Sequence, residues 1–458
     1  MPDIGQPPLS GRWLRRLGLE RPDVRAWALY DWANSAFVTT IVAAVFPVYF
    51  STVAAADLPA AVATRRFALA TTIALAIIAV LAPLLGALAD AAGWKKRLLA
   101  VFLGIGVVAT AAMGSLQRGQ WVAAALLFGI ANIGAWGTFV FYDSLLPHIA
   151  RSDAEMDRAS AAGYALGYLG GGLMLALNLA WMSWPDVFGF DDTASAARAS
   201  FVSVAVWWAV FSIPLFRRVP EPAVRRRSGT LAGLASVPAL ARGLAQTFRD
   251  LRRYREALLF LLAFLVYNDG IGTVIRMAAI YGAEIGLPHR SLLAAILLVQ
   301  LIGVPCAVAF GGLAVRVGIK PAILFSLAVY LGITVIGGLL SHTWQFYLVA
   351  VLVGSVQGGS QALSRSLFAR LIPHARSAEF FAFFSISDKV AGVLGPAVFA
   401  GVSVLAGSSR AGVMIVGVFF VVGALLLARV DIEAGQRAVL AENRDAPVLG
   451  GRETDARS

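Results

Sequence analysis

The sequence predicts an all-α polytopic membrane protein: twelve transmembrane helices arranged as two pseudo-symmetric six-helix bundles. Three observations lead there. The 458 residues are 59% apolar and only 14% charged, too hydrophobic for an ordinary soluble domain. Apolar runs of roughly spanning length recur along the whole chain. Landmark residues in the first half return in the second about 225 residues later, as in carriers built from two copies of one unit.

Residues 1–26 hold Pro7, Pro8 and five arginines around no apolar core, so no cleavable signal peptide is expected and the N-terminus should stay in the cytoplasm. The first bundle is expected over 27–216, with apolar runs near 27–50, 67–89, 98–116, 121–142, 160–184 and 199–216. Residues 217–256 carry about ten arginines and no spanning run, which marks the cytoplasmic link between bundles. Its stretch Leu231–Leu251 has loosely helical apolar spacing and either lies along the membrane surface or only fixes topology. The second bundle is expected over 257–428, with runs near 257–283, 291–315, 321–340, 344–367, 379–406 and 411–428. Residues 429–458 are polar, a cytoplasmic tail without assigned chemistry.

Charge placement orients the chain. With loops assigned alternately, roughly 29 of the 38 Lys and Arg fall on the side of the N-terminus, so both termini are expected in the cytoplasm and the protein in the cell (inner) membrane. Trp121, Trp181, Trp184 and Trp344 mark the outer edges and Trp27 and Trp94 the inner ones, as an interfacial belt would. The formal charge of +12 sits in short loops rather than on an aromatic-flanked patch, so nucleic acid is not an expected partner. Cys306, the single cysteine, implies no disulfide or metal framework. No nucleotide loop, serine elbow or zinc-protease helix is present, so neither an enzyme nor a cofactor is expected.

The loop Pro83–Arg97 is the clearest landmark. Gly86 and Gly93 permit close backbone approach, Asp90 stands where it could meet a cation or a helix N-terminus, and Lys95, Lys96 and Arg97 follow. Gly311, Gly318 and Lys320 repeat the spacing of Gly86, Gly93 and Lys95, with Val315 in place of Asp90. A latch built on that carboxylate is therefore expected in one half only. Leu145-Leu146-Pro147-His148 returns as Leu371-Ile372-Pro373-His374, and Gly170-Gly171 corresponds to Gly395-Pro396.

Ionisable groups inside spans are the default functional candidates, because each costs roughly 2.5–3.5 kcal/mol to insert. Asp31 and Asn34 share a face of the first span. In the seventh, Asn268 and Asp269 precede Arg276 by about two turns, and Gly270 and Gly272 are expected to let this helix bend or break beside a ligand. Asp269 and Arg276 stand roughly 10 Å apart along the axis, a separation that a small zwitterion could bridge. Gln357, Gln361, Ser364 and Arg365 form a polar stripe on the tenth span, and Asp388 and Lys389 lie inside the eleventh. Interhelical polar contacts, or Arg365 reaching the membrane surface, are the structural alternatives. The series Gly163, Gly167, Gly170, Gly171 and Gly172 reads first as a helix-packing face.

The Gly-carboxylate-Gly-cation loop resembles the signature loop between helices two and three of the major facilitator superfamily. WALYDWANSAF at 27–37, FYDSLLPHIA at 141–150, AAGYALGYLGG at 161–171, YNDGIGTVI at 267–275 and QGGSQALSRSLFARLIP at 357–373 look like one branch of it. That branch holds the autophagy-linked vacuolar amino-acid effluxers and bacterial relatives of unassigned substrate. The resemblance implies the major facilitator fold and alternating access around a central site lined by spans one, four, seven and ten, hence near Asp31, Asn34, Asn132, Asp269, Arg276, Gln357 and Gln361. It implies a small solute, amino acids or similar polar molecules, with a proton or cation as a possible coupling ion and the vacuolar membrane as location in a eukaryote. The glycine series is similar to the antiporter motif of exporters but lacks its proline, and the fourth span lacks the embedded arginine of many proton-coupled exporters. A nontransporting scaffold, pigment-delivery factor or sensor, and a drug or lipid exporter, are the alternatives. No obligate protein partner is evident.

Overall fold

The computed structural model describes residues 14–15, 17–223, 249, 252–284, 286, 289–390, 392 and 394–445. Among them every regular element is a helix, because a chain this apolar must satisfy its backbone within each segment to reside in lipid. Eleven helices are long and apolar enough to cross a membrane. In the first half they are Pro22–Ala54, Ala60–Ala92, Lys95–Ser115, Trp121–Ile149, Asp153–Ser183 and Thr193–Arg218; in the second, Arg255–Ala278, Ala294–Val317, Ile319–Gly338, Thr343–Arg370 and Ser409–Ala428. The remaining span, eleventh in chain order, is in two pieces, Ser377–Val390 and Leu394–Ala406. The Leu231–Leu251 stretch lies outside the described residues.

Local chemistry sets the helix ends. Gly93, at φ +69°, ends the second span in the left-handed conformation that glycine adopts without strain. Ser152 accepts the Glu155 N–H to start the fifth span, and Asp192 with Ser195 forms a capping box before the sixth. Between helices the interior is aromatic: Phe46 stacks on Phe128 at 4.4 Å in one half, and Phe264 on Phe384 at 4.2 Å in the other. Apolar side chains such as Val108, Val404 and Leu405 point outward, as lipid contact requires.

Contacts at the helix ends sort them onto two faces. On the terminal face, which carries both ends of the described chain, Arg21 donates to the Ile149 carbonyl, Gln436 to Asp153, and Glu256 accepts from the Asp431 N–H. On the opposite face Tyr49 donates to the Leu116 carbonyl and Arg410 to that of Leu340.

The internal duplication is visible where its copies meet. His148 and His374 stand with ring centroids 5.9 Å apart, so the two LxPH segments face each other across the boundary between halves. The lysines correct the spacing argument. Lys320, matched with Lys95 by spacing, donates to the Ala428 and Val430 carbonyls after the twelfth span. Lys96 does the same for Phe216 and Val219 after the sixth. Lys96 is therefore the structural counterpart of Lys320, and Lys95 is released for another task. Trp27 is a second correction: it is 0% exposed and stacks on Tyr142 at 4.6 Å, so it walls an internal site instead of anchoring at the interface. Trp184 and Trp344, both 62% exposed, fit the belt.

Gly86 packs the second span against the eleventh so closely that a Cβ there would lie 2.6 Å from the Ala378 carbonyl oxygen. Gly86→Val should weaken this seam by about 1–3 kcal/mol. The expected readouts are a lower Tm and faster maleimide labelling of Ser377→Cys in a Cys306→Ser background; unchanged labelling would refute the packing.

Candidate functional site

The centre of the polar interior is Arg365, on the tenth span and 2% exposed. Its side chain crosses from the second half into the first. There Nη2 meets the Asp31 carboxylate at 3.0 Å and Nη1 that of Asp143 at 3.1 Å, while Nε donates to Ser160 Oγ at 2.9 Å and Nη2 to the Ser160 carbonyl at 3.0 Å. The rings of Trp27, Tyr142 and Tyr164 lie 4.7–5.5 Å from the guanidinium carbon. Removing a guanidinium from water costs several kcal/mol; two carboxylates, two contacts to Ser160 and three aromatic faces offset it. One arginine thus ties the tenth span to the first, fourth and fifth.

The glycine series lets those helices approach. A Cβ at Gly163 would press on the Asp31 carboxylate and lie 3.2 Å from Arg365 Nη2, one at Gly167 would lie 2.6 Å from Ser35 Oγ, and one at Gly170 2.6 Å from the Trp32 carbonyl oxygen. These glycines at helical spacing form the seam against the first span, as the packing interpretation expects.

A second polar group surrounds Asp269, 1% exposed on the seventh span. Its Oδ2 accepts the Gly395 N–H at 2.7 Å, and its Oδ1 is buried without a hydrogen-bond partner among the described residues. The expected weakness of the seventh span is not found: Arg255–Glu284 is one continuous helix, and Gly270 instead admits Phe419 and Phe420. In the eleventh span, the helix Leu394–Ala406 begins beside Asp269, at Leu394 and Gly395. The Arg276 side chain folds back along its helix, its Nη2 lying 3.5 Å from where a Gly272 Cβ would be. This shortens the separation that the axial rise alone implies. Gly392 faces the same guanidinium. Next to this group Gln361 donates to Asn268 at 2.5 Å, and Gln361 and Gln357 are half-buried.

At the terminal face the predicted latch is formed. Asp90 pairs with buried Lys95 at 2.8 Å and accepts the N–H groups of Ala378 and Glu379 at 3.2 and 2.9 Å, so it meets both a cation and a helix N-terminus. Lys95 continues to Ser377 at 2.8 Å and His148 at 3.0 Å. Burial, with Lys95 adding to it, pushes the neighbouring His374 imidazole below its usual pKa. Arg97 stacks over Trp94, and Gly311 brings the eighth span against Ala161, where a Cβ would lie 2.7 Å away. Gly318, at φ +94°, starts the ninth span. Nearby, Arg370 binds Asp157 and Asp153, and Ser366 donates to Asp157.

The predicted residues therefore divide. Asp31 and Arg365 meet each other, and the surface-reaching alternative for Arg365 is excluded by its burial. Asn34 is buried with its amide nitrogen unpartnered. Asn132 is held within its own helix by the Phe128 carbonyl and Trp136. Asp388 and Lys389 end the first piece of the eleventh span, and their side chains lie outside the described residues. Asp143, Asp157, Ser160 and Arg370 were missed: the carboxylates at 143 and 157 fall just outside the apolar runs 121–142 and 160–184, so they lacked the within-span signal of Asp31.

The comparisons with known proteins agree with this architecture. A family model described as "Vacuole effluxer Atg22 like" matches residues 20–440. The uncharacterized MFS-type transporter YxiO of Bacillus subtilis is 34% identical over 410 residues, covering 89% of this chain and 94% of its own. Autophagy-related protein 22-1 of Aspergillus niger is 27% identical over 63% of this chain, which spans about half (49%) of the fungal protein. Among solved structures, the proton:xylose symporter XylE superimposes with a TM-score of 0.68 at 14% identity, covering 92% of this chain and 96% of its own. FucP in its outward conformation gives 0.65 at 12%, covering 90% and 100%, a likeness of fold. The chain is a transporter-family protein and not an enzyme, and with nearly all its described spans inside one family model it belongs to the Atg22-like vacuole effluxer family within the MFS-type transporters.

Proposed function

We propose that the protein is a secondary active transporter that moves a small polar solute, an amino acid or a molecule of similar size and charge, by alternating access. The observation that carries this reading is the half-satisfied Asp269: one carboxylate oxygen is held by the protein and the other is buried without a hydrogen-bond partner among the described residues. A scaffold with the same fold would have no reason to keep so costly a group. A substrate amine or a proton would complete it, with Arg276, about two turns further along the same helix and its side chain folded back towards Gly272, receiving a substrate carboxylate.

The terminal face is the cytoplasmic one in this reading, since the basic loops lie there, and the membrane is that of the cell. Arg365, the Asp90 contacts to the Ala378 and Glu379 N–H groups, the Lys95–Ser377 bond and the Arg370–Asp157 pair tie the halves at that face. The bond between halves reaching farthest from it joins Gln300 to Thr39 at 3.4 Å, about 25 Å along the eighth span from Val317. Beyond that level Tyr49 and Tyr281 pack within their own halves. The conformation is closed to the cytoplasm and faces outward.

A thermal-shift screen of the purified protein against amino acids, peptides and sugars, followed by counterflow in proteoliposomes, should identify a small polar solute. Asp269→Asn and Arg276→Gln should each lower its flux about ten- to a hundredfold, as loss of a charge-assisted contact does; wild-type flux with unchanged pH dependence in both variants would reject these roles. Arg365→Gln should release the cytoplasmic closure, because breaking a buried pair costs about 3–5 kcal/mol. Single-molecule distances between labels at Arg151→Cys and Arg316→Cys should lengthen, and Arg365→Lys should not restore them, since an ammonium cannot span both carboxylates.

A further inference from the structure

A groove of about 370 Å³ lies where the first and sixth spans meet near the terminal face, lined by Arg25, Ala26, Leu29, Ile213, Pro214, Arg217 and Arg218. Its mouth is basic and its floor is apolar. Among the described residues none of the three arginines is paired with a carboxylate, although Arg21 close by pairs with Asp23 and Glu155.

Helix capping does not explain Arg25, which is in the opening turn of Pro22–Ala36, where the helix dipole disfavours a cation. Arg217 and Arg218 are in the last turn of the sixth span, where the dipole favours cations, but the Phe216 and Val219 carbonyls there are taken by Lys96. Three cations converge on one opening, and an anion is what neutralises them.

The floor decides between a free anion and a lipid. Val202, Val206, Val210 and Ile213 are 42–56% exposed and follow one another at helical spacing up to Arg217, so they form one outward stripe. An acyl chain would lie along it while its phosphate stayed at the arginines. Inorganic phosphate would leave that stripe unused.

We propose that this groove is a binding site for an anionic phospholipid, with the phosphate held by Arg25, Arg217 and Arg218 and one acyl chain lying against Leu29, Pro214 and the Val210–Ile213 stripe. Neither the transported solute nor its direction enters this assignment. The lipid would brace the first span, which carries Asp31, against the sixth.

The test is native mass spectrometry and thermal shift on the full chain, titrated with phosphatidylglycerol, phosphatidylcholine, glycerol phosphate and inorganic phosphate. Phosphatidylglycerol should be retained over phosphatidylcholine, and the preference should fall about fivefold for each arginine neutralised. Arg25→Gln/Arg217→Gln/Arg218→Gln should therefore abolish it, while Arg118→Gln, on the opposite face, should leave it unchanged. Should the triple variant fail to fold, Arg25→Gln alone still has to lower the preference. Equal retention of the two lipids, a preference that survives these substitutions, or equal stabilisation by inorganic phosphate would overturn the proposal.

Discussion

The fold depends on one electrostatic constraint: a guanidinium rooted in the second half has its counter-charges in the first. Arg365 has Asp31 on one side and Asp143 on the other, and at 2% exposure it has little access to water in their place. Separating the halves at this level leaves three charges to be rehydrated together. That requirement explains why the surrounding residues are small or aromatic. Gly163 makes room for the ion pair, Ser160 supplies both a hydroxyl and a carbonyl, and the flat faces of Trp27 and Tyr164 cover the guanidinium without competing for its N–H groups.

The two halves share one architecture but divide the chemistry. Lys96 and Lys320 perform the same local task, capping the ends of the sixth and twelfth spans. The carboxylate latch exists once, because Val315 stands where the first copy has Asp90. Only the first half therefore holds the N–H groups that start the eleventh span through a loop carboxylate. His148 and His374, copies of one residue, face each other at the boundary, with Lys95 beside His148.

What was legible in the sequence follows from which signals are local. Span number, the duplicated loop and the destination of Asp90 depend on hydropathy, glycine spacing and the sign of nearby charge, all written over short stretches. The partner of Arg365 could not be read, because a polar stripe on one helix says nothing about which helix it meets; 334 residues separate it from Asp31. The same blindness predicted a break in the seventh span. Gly270 and Gly272 predict a weak helix, but tertiary packing fills Gly270's space with Phe419 and Phe420, and Arg255–Glu284 stays helical throughout. Trp27 was misplaced for the opposite reason, since an indole near a span end suits the interface and a buried cation–π contact equally well.

The choice of ion pairs for this closure has a thermodynamic reason. A seam closed by apolar surface would cost about 25 cal/mol for each Å² exposed when it opens to water, and a seam wide enough to hold two bundles would stay shut. A buried ion pair behaves otherwise, because the desolvation that opposes its formation is returned when the charges are wetted on opening. Arg365–Asp31, Arg365–Asp143 and Arg370–Asp157 can therefore fix the geometry of the closed state closely while leaving its free energy near that of the open one. A carrier needs that balance: two states close enough in energy for a solute's differential affinity to shift the population. The Asp269 Oδ1, buried without a hydrogen-bond partner among the described residues, lies outside this set of satisfied pairs.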